Sequence, residues 1–238
     1  MTASDVAVVV PVGGAAPGWE RSARSLGRFD PAPGELVVVV DGPDERLAAI
    51  ARGLDARVVT LEQQGGPARA RNRGVEATGR DIVLFVDADI EVPPDLVRRV
   101  AERFASEPGT DALFGSYDDA PGDPGLLSQY RNLLHHFVHQ NGREQASTFW
   151  AGCGAVRRKA FVEVGGFDEG RFDGIEDIEL GARLLRAGHP IRLVKDLQVK
   201  HLKPWRLGNM LATDLWRRAV PWTCLLYTSP SPRDQRPN

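Results

Sequence analysis

The chain has 238 residues, 42% of them hydrophobic and 26% charged, so it is long enough to bury one substantial core, and its composition argues against disorder over most of its length. Its 30 basic and 32 acidic residues leave a formal net charge of −2, which provides no overall field for nucleic acid, and no nucleic-acid partner is expected. Cys153 and Cys224 lie far apart and outside any metal-ligand spacing, which argues against a disulfide framework or a zinc site.

The first half of the chain alternates short apolar runs with amphipathic stretches of helix length. The apolar runs are Val6–Val10, Leu36–Val40, Arg57–Leu61 and Asp81–Val86. The predicted helices are Pro17–Leu26, Asp44–Gly53, Pro67–Thr78 and Pro94–Ser106, and in the last of them Leu96, Val100 and Phe104 are predicted to face the core. This alternation is typical of βαβ units, so the expected fold class is α/β: a Rossmann-like, doubly wound and mostly parallel sheet with helices on both faces.

The second half is less regular, but no change of composition marks a linker. Its predicted elements are a strand at Ala112–Ser116, a loop at Asp118–Gly125, a helix at Leu126–His139 and a strand-like stretch at Thr148–Arg157. We therefore expect one domain over residues 1–223, with a first half over about 1–117 and a second half over about 118–223. Residues 224–238 are rich in proline and lack apolar periodicity; they are predicted to be a disordered, non-native tail on a truncated chain.

Two carboxylates follow the most apolar run. Asp87-Ala88-Asp89 comes directly after Ile82–Val86, which reads as a strand buried on both faces. Ligands of open α/β sheets gather beyond the carboxyl ends of such strands, and paired carboxylates suit Mg²⁺ or Mn²⁺ bridging the phosphates of a substrate. The alternative is an ordinary turn, since Asp is common in turns and Pro93-Pro94-Asp95 predicts the start of a helix shortly afterwards.

A second acidic pair, Glu176-Asp177, follows the turn-rich segment Gly165–Glu169. Ile178, Leu184 and Leu185 predict an apolar helix face, which places both acids in the first helical turn, where the helix dipole stabilises carboxylates. The alternative interpretation is N-terminal capping without a chemical role.

Other nucleotide and metal patterns are incomplete. Gly13–Gly18 matches the start of a phosphate-binding loop, but Trp19-Glu20 replaces the required lysine and hydroxyl residue. No dinucleotide-binding glycine motif follows the first strand, which argues against an oxidoreductase. His135, His136 and His139 lack the glutamate of a zinc-helix motif.

The chain ends do not predict a membrane span. The N-terminus lacks a basic leader, and the run Val6–Val12 is too short to cross a bilayer, so a cytoplasmic location is expected. Near the other end, Trp205, Trp216 and Trp222 with Arg206, Arg217 and Arg218 predict a surface helix. Packing of this helix against the domain is the preferred interpretation; covering the acceptor site and peripheral contact with the inner face of a membrane stay open.

Taken in chain order, the motifs over about residues 5–205 resemble those of the family 2 glycosyltransferases, which have a GT-A fold. The elements are Pro11 in the first strand, Asp41-Gly42, the segment Gly65–Gly74, Asp87-Ala88-Asp89, Gly165-Gly166-Phe167-Asp168 and Glu176-Asp177. Each is weak alone, but their order and their strand or helix context make the combination specific. One departure concerns the second strand, where the family often has two acids before the glycine and this chain has Val40-Asp41-Gly42.

The resemblance implies a role for each matching residue. Pro11 and Asp41 would line the nucleotide-base pocket, and Arg71 and Asn72 would hold the nucleotide. Asp87 and Asp89 would contact the ribose-diphosphate and its Mn²⁺ or Mg²⁺, with Asp89 as the principal metal ligand. Asp177 would be the catalytic base, with Glu176 beside it in the same motif. His201 would be a third metal or diphosphate contact, the alternative being an exposed histidine before a helix.

The expected function is therefore metal-dependent, inverting transfer of a sugar from a UDP- or GDP-sugar to a hydroxyl acceptor, which is a glycan, a lipid-linked molecule or a small molecule. A metal would neutralise the diphosphate leaving group, while Asp177 takes the acceptor proton. The alternatives are a sugar-phosphate nucleotidyltransferase, whose Gly-rich signature loop is absent here, and an inactive nucleotide-sugar binding module.

Overall fold

The structure is a computed structural model that describes residues 1–170, 174–221 and 223, without the side chains of 217 and 218. The predictions for Trp222, for the arginine side chains at 217 and 218 and for the tail at 224–238 therefore lie outside the described residues. Within the described part, no helix is both long and apolar enough to cross a membrane.

Among the residues described, eight strands form one sheet in the order β3-β2-β1-β4-β7-β6-β8-β5. Their bounds are β1 Val6–Gly13, β2 Glu35–Asp41, β3 Arg57–Thr60, β4 Ile82–Val86, β5 Ile90–Glu91, β6 Ala112–Tyr117, β7 Cys153–Arg157 and β8 Ile191–His201. The first four strands pair in parallel, as do β6 and β8, while β7 and β5 pair antiparallel to their neighbours. The predicted mostly parallel α/β sheet is confirmed.

The helices lie between the strands as the sequence predicts for the first half. They are α1 Trp19–Leu26, α2 Glu45–Arg52, α3 Gly66–Glu76, α4 Leu96–Ser106, α5 Leu126–Asn141, α6 Arg158–Glu163, α7 Glu176–Arg186 and α8 Leu207–Ala212, which continues as a π-helix over Thr213–Ala219. In α4, Leu96, Val100 and Phe104 are buried, as their spacing predicts.

Both faces of the sheet are covered, because alternate residues of each central strand enter different cores. In β4, Leu84 packs with α1, α2 and α4 on one face, whereas Phe85 packs with α3, α6 and α7 on the other. Gly74 allows α3 to approach β1 closely, since a Cβ there would lie 2.3 Å from Val9 Cγ1. This packing fixes the amino end of α3 and the carboxyl ends of β1, β2 and β4 at the same edge.

The structure differs from the prediction at the start of the strand-like stretch Thr148–Arg157. The strand begins only at Cys153, and the preceding backbone bonds to the acids instead of to a strand. The N–H of Ala151 donates to Asp177 Oδ2 at 3.2 Å, and the carbonyl of Gly152 accepts from the N–H of Asp87 at 3.1 Å. This segment therefore connects the two acidic motifs.

The apolar face of α7 also differs from the predicted one. Leu180 and Leu184 are its buried apolar residues, whereas Ile178 and Leu185 are only partly buried. Ile178 instead lines the cavity described next.

Candidate active site

A cavity of about 1100 Å³ opens at the carboxyl edge of the sheet, where the sequence predicts a ligand site. All but one of the predicted site residues line it: Pro11, Asp41, Arg71, Asp87, Asp89, Glu176, Asp177 and His201. The exception is Asn72. Motifs that are more than 100 residues apart in sequence, such as Arg71 and Glu176, are thus brought to one place.

The backbone at Asp87-Ala88-Asp89 does form a turn, which was the alternative interpretation of this motif. The N–H of Ile90 donates to the carbonyl of Asp87 at 3.1 Å, and the short strand β5 follows. The turn is closed by backbone atoms, so the carboxylates of Asp87 and Asp89 remain in the lining of the cavity. Turn and ligand site are compatible here.

Arg71 joins the two acidic motifs. Its Nη2 donates to Asp87 Oδ1 and its Nη1 to Glu176 Oε1, each at 2.7 Å, and its side chain is only 5% exposed. Burial alone would lower the pKa of this guanidinium, but the two carboxylates raise it above the ordinary value. Burial raises the pKa of Asp87, against the opposing charge of Arg71. Arg71 therefore holds together charges that would otherwise repel each other.

Glu176 is fully engaged within the protein. Besides Arg71, it accepts a hydrogen bond from the N–H of Gly174 at 2.9 Å on Oε2. Both of its oxygens are thus committed, and the side chain is only 8% exposed. The structure gives Glu176 a positioning role for Arg71, while the predicted catalytic role stays a prediction.

Asp177 is held by backbone donors. Its Oδ2 accepts from Ala151 and its Oδ1 accepts from the N–H of Ile178 at 2.8 Å. Burial, and next the neighbouring negative charge of Glu176, raise the pKa of Asp177 to about 7. A carboxylate that titrates near neutral pH in a cavity is well suited to accept a proton from a substrate.

His201 is buried, so the alternative of an exposed histidine before a helix is wrong. It ends β8, where it pairs with Ile90, and its side chain is 5% exposed. Its Nε2 lies 3.5 Å from Asp89 Oδ2. Burial raises the pKa of Asp89, but the hydrogen bonding and charge of His201 outweigh that effect and keep the pKa below its ordinary value.

Asp41 orders the loop that leads into α3. Its two carboxylate oxygens accept from the N–H groups of Gly65 at 2.7 Å and Gly66 at 2.9 Å. Gly66 has a φ of +82°, a conformation that favours glycine. Asp41 also lines the cavity, so its predicted contact with a nucleotide base stays a prediction beside this structural role.

Asn72 forms hydrogen bonds with the backbone of the Gly165–Asp168 turn. Its Nδ2 donates to the carbonyl of Phe167 and its Oδ1 accepts from the N–H of Phe167, each at 2.9 Å. Gly166 is required beside it, since a Cβ there would lie 2.8 Å from Asn72 Oδ1. The predicted nucleotide contact of Asn72 stays a prediction, and its observed contacts join α3 to this turn.

Several cavity residues carried no signal in the sequence. Asn132 on α5 and Tyr117 at the end of β6 both contact His201, and Trp150 lines the cavity one residue before Ala151. Lys203 also lines it and lies over the ring of Trp205. None of these residues belongs to a motif. Their polar or aromatic character near the end of a predicted element is too common to have identified them.

Two of the three histidines of α5 form hydrogen bonds with the protein backbone. His136 Nδ1 lies 2.7 Å from the carbonyl of Tyr117, and His139 Nδ1 lies 3.0 Å from that of Gly115. Burial lowers the pKa of His139 to about 4, which keeps this ring neutral. These contacts fasten α5 to β6.

The cavity offers few ligands for a divalent cation. In the parts of the chain that the structure describes, no three His, Cys, Asp or Glu side chains form a group that would hold a metal ion. Asp89 and His201 face each other, whereas one oxygen of Asp87 is bonded to Arg71. Because Mg²⁺ is typically held by one or two carboxylates together with substrate phosphates, this set fits a cation that arrives with a diphosphate.

A family model described as glycosyl transferase family 2 matches residues 7–165, which is more than half of the chain. The chain belongs to glycosyl transferase family 2. A second model, described as the N-terminal domain of galactosyltransferase, matches residues 131–205 of this family 2 enzyme. The predicted family, the glycosyltransferase class and the GT-A fold are confirmed.

Curated relatives of this glycosyltransferase are much longer. A pre-mycofactocin glycosyltransferase of Mycobacterium tuberculosis is 29% identical over 216 residues, which cover 84% of this chain and 44% of the relative. A poly-beta-1,6-N-acetyl-D-glucosamine synthase of Staphylococcus aureus is 25% identical over 197 residues, covering 79% and 46%. The chain spans less than half the length of these two relatives.

Solved glycosyltransferase structures share the fold. The mannosyltransferase PcManGT from Pyrobaculum calidifontis, in complex with GDP-Man and Mn²⁺, superposes with a TM-score of 0.70 at 20% identity, covering 97% of this chain and 66% of that one. Residues 1–349 of TarS from S. aureus, in complex with UDP-GlcNAc, give a TM-score of 0.60 at 21% identity, covering 87% and 60%.

Proposed function

We propose that this enzyme carries out metal-dependent, inverting transfer of a sugar from a nucleoside-diphosphate donor to a hydroxyl acceptor, with Asp177 as the general base. The proposal rests on one observation: Asp87, Asp89 and Asp177 all line the same cavity at the carboxyl edge of the sheet. An arrangement with acids after β4 and at the start of α7 provides separate groups for leaving-group stabilisation and for proton removal.

The proton step is assigned to Asp177. Its two oxygens are oriented by backbone donors, and its pKa of about 7 lets it be ionised near neutral pH while still accepting a proton as the acceptor hydroxyl attacks. A single base and a single displacement at C1 of the donor sugar invert the anomeric configuration, since no covalent sugar–enzyme intermediate is formed.

The leaving-group step is assigned to the Asp89 side of the cavity. Asp89 and His201 would hold a divalent cation, with Asp87 beside them as a nucleotide contact; when bound, such a cation supplies positive charge that neutralises the departing diphosphate. The fold neighbour PcManGT holds GDP-Man and Mn²⁺, and TarS holds UDP-GlcNAc. We therefore propose a GDP- or UDP-sugar as donor and Mn²⁺ or Mg²⁺ as the cation.

Asp89→Ala is expected to weaken donor binding only when metal is present. In the intact protein, Mn²⁺ should raise the affinity for UDP-sugar or GDP-sugar, because cation and diphosphate bind together; without Asp89, most of that gain should be lost. Calorimetric titration with and without Mn²⁺ measures both affinities. Asp55→Ala, an exposed acid outside the cavity, is the matched control. Equal donor affinity with and without Mn²⁺ in the intact protein would reject metal dependence.

The acceptor is proposed to enter along α5, and this side of the molecule is proposed to touch a membrane. Apolar side chains on one face of α5 are exposed; Phe137 is 63% exposed, and Leu134 and Val138 also line the cavity. Trp216, beyond α8, is 73% exposed, and an Arg131–Asp214 ion pair joins the two helices. A lipid-linked acceptor at the inner face of a membrane would use both features.

Vesicle sedimentation tests the membrane contact. Phe137→Ser is expected to lower the bound fraction on vesicles that contain anionic lipid by severalfold, because an apolar group is withdrawn from the interface. Val162→Ser on α6 is the control, since Val162 is 56% exposed but lies on another helix. Equal binding of the two variants, or a stable dimer closed through α5, would contradict the membrane proposal.

Membership of the family favours glycosyl transfer over the nucleotidyltransferase alternative. An inactive binding module is separated from an enzyme by turnover: the module would bind a nucleotide sugar in the presence of Mn²⁺ without releasing the nucleoside diphosphate.

A further inference from the structure

His201 is contacted on three sides by other side chains. Its Nδ1 lies 2.7 Å from Asn132 Oδ1, and Asn132 is 1% exposed. Its ring stacks on Tyr117, with centroids 4.5 Å apart and planes 14° apart. Its remaining nitrogen, Nε2, faces Asp89 Oδ2 at 3.5 Å. These contacts give the ring one orientation, with Nδ1 toward Asn132 and Nε2 toward Asp89.

The contact with Asn132 determines the proton position. An amide oxygen has lone pairs but no hydrogen, so the short contact requires the proton to lie on Nδ1 of His201. With the Nδ1 proton held by Asn132, Nε2 is the nitrogen left to bind a cation beside Asp89, and it gives up any proton that it shares with Asp89 when the cation binds. The opposite orientation of the amide would place the proton on Nε2, where it could only donate to Asp89 and could not bind a cation.

We infer that Asn132 is a positioning residue, which fixes the His201 tautomer so that Nε2 and Asp89 can together hold the divalent cation of the donor diphosphate. The inference rests on the proposed function. It adds a residue of α5, outside every motif of the donor site, to the set that prepares the cation position. Partners of this kind orient histidine ligands in metal sites generally.

Substitutions at Asn132 separate this role from simple packing. Asn132→Leu has nearly the same shape but no acceptor, and its affinity for Mn²⁺ in the presence of saturating UDP or GDP is expected to fall by about 10- to 100-fold. Asn132→Asp keeps an oxygen at the same place and should retain Mn²⁺ binding. His201→Ala should lose at least as much affinity as Asn132→Leu. Ser128→Ala, one turn earlier on α5 and buried against the N–H of Trp205, is the control and should leave Mn²⁺ affinity unchanged.

The tautomer itself is measured by ¹⁵N NMR of the histidine ring in the intact protein. With Mg²⁺ and UDP or GDP bound, we expect a protonated Nδ1 and an unprotonated Nε2 for His201, and loss of this preference in Asn132→Leu. A proton on Nε2 in the complex of the intact protein would overturn the inference, whether or not the leucine variant folds.

The failure of the inference is distinguishable from that of the proposed function. If Mn²⁺ raises nucleotide affinity and His201→Ala abolishes the gain while Asn132→Leu keeps it, Asn132 has no positioning role and the proposed function stands. If the intact protein binds nucleotide equally with and without Mn²⁺, the metal-dependent function fails, and the inference fails with it.

Discussion

Asp177→Asn is expected to abolish sugar transfer while leaving nucleotide-sugar binding within a few-fold of the intact protein. The amide keeps the shape of the carboxylate and can accept only one of its two backbone hydrogen bonds, from Ala151 or from Ile178, and it cannot take the proton of the acceptor hydroxyl. A general base contributes about 10²- to 10⁴-fold to the rate, so kcat should fall by at least that factor. The measurement is kcat for transfer together with the Kd of the donor. Asp55→Asn, an exposed acid between α2 and β3, is the control and should behave as the intact protein.

The pH dependence of transfer follows from the same carboxylate. Burial first, and the charge of Glu176 second, raise the pKa of Asp177 to about 7. The base acts when ionised, so kcat/KM should rise with pH up to about 7 and level off above it. Because the pKa is raised in the folded state, Asp177 lowers stability as pH rises from its ordinary pKa through about 7. The stability of Asp177→Asn relative to the intact protein, measured by urea unfolding, should therefore be higher at pH 8 than at pH 5. Unaltered transfer by this variant would reject the assignment of the base.

Arg71→Met is expected to cost about 3 to 5 kcal/mol of stability at pH 8, together with transfer activity, because removing one partner from a buried ion pair leaves the other charges uncompensated. Arg71 is 5% exposed and bridges Asp87 and Glu176. Urea unfolding at pH 8 and pH 5 gives the free energies. The loss should shrink at pH 5, since carboxylates without their cation protonate more readily.

A double variant tests whether the stability lost in Arg71→Met comes from the uncompensated carboxylates of Asp87 and Glu176. Arg71→Met with Glu176→Gln should recover part of the stability lost in Arg71→Met, because one of the uncompensated charges is also removed. Arg98→Met on the exposed face of α4 is the control, as its surface ion pair with Glu102 contributes little. Equal stability of Arg71→Met and Arg98→Met would show that the bridge between the two motifs is not needed for folding.

The first half of the fold was predictable because its signals are local. Uninterrupted apolar runs such as Ile82–Val86 mark strands covered on both faces, and the four-residue spacing of Leu96, Val100 and Phe104 marks a helix face. Strand β5 and the antiparallel pairing of β7 were not predictable in the same way. Strand β5 has two residues, and the insertion of β7 between β4 and β6 depends on long-range pairing that leaves no local pattern.

The candidate site was predictable in its motifs but not in its connections. The acids were found because they follow a buried strand and begin a helix, which is where ligand groups lie in open α/β sheets. The double engagement of Glu176, the turn-binding role of Asn72 and the contact of Asn132 with His201 depend on side-chain geometry across 69 to 105 residues of sequence. Sequence spacing alone carries no information about such contacts.

Metal-dependent transfer with Asp177 as the base is tested by the release of nucleoside diphosphate from a panel of UDP- and GDP-sugars, with Mn²⁺ present and absent. At least one donor should be turned over in the presence of Mn²⁺ and a hydroxyl acceptor, chelation should stop the reaction, and Asp177→Asn should bind the same donor without releasing its diphosphate. Mn²⁺-independent release, or release by Asp177→Asn at the rate of the intact protein, would contradict the proposed function.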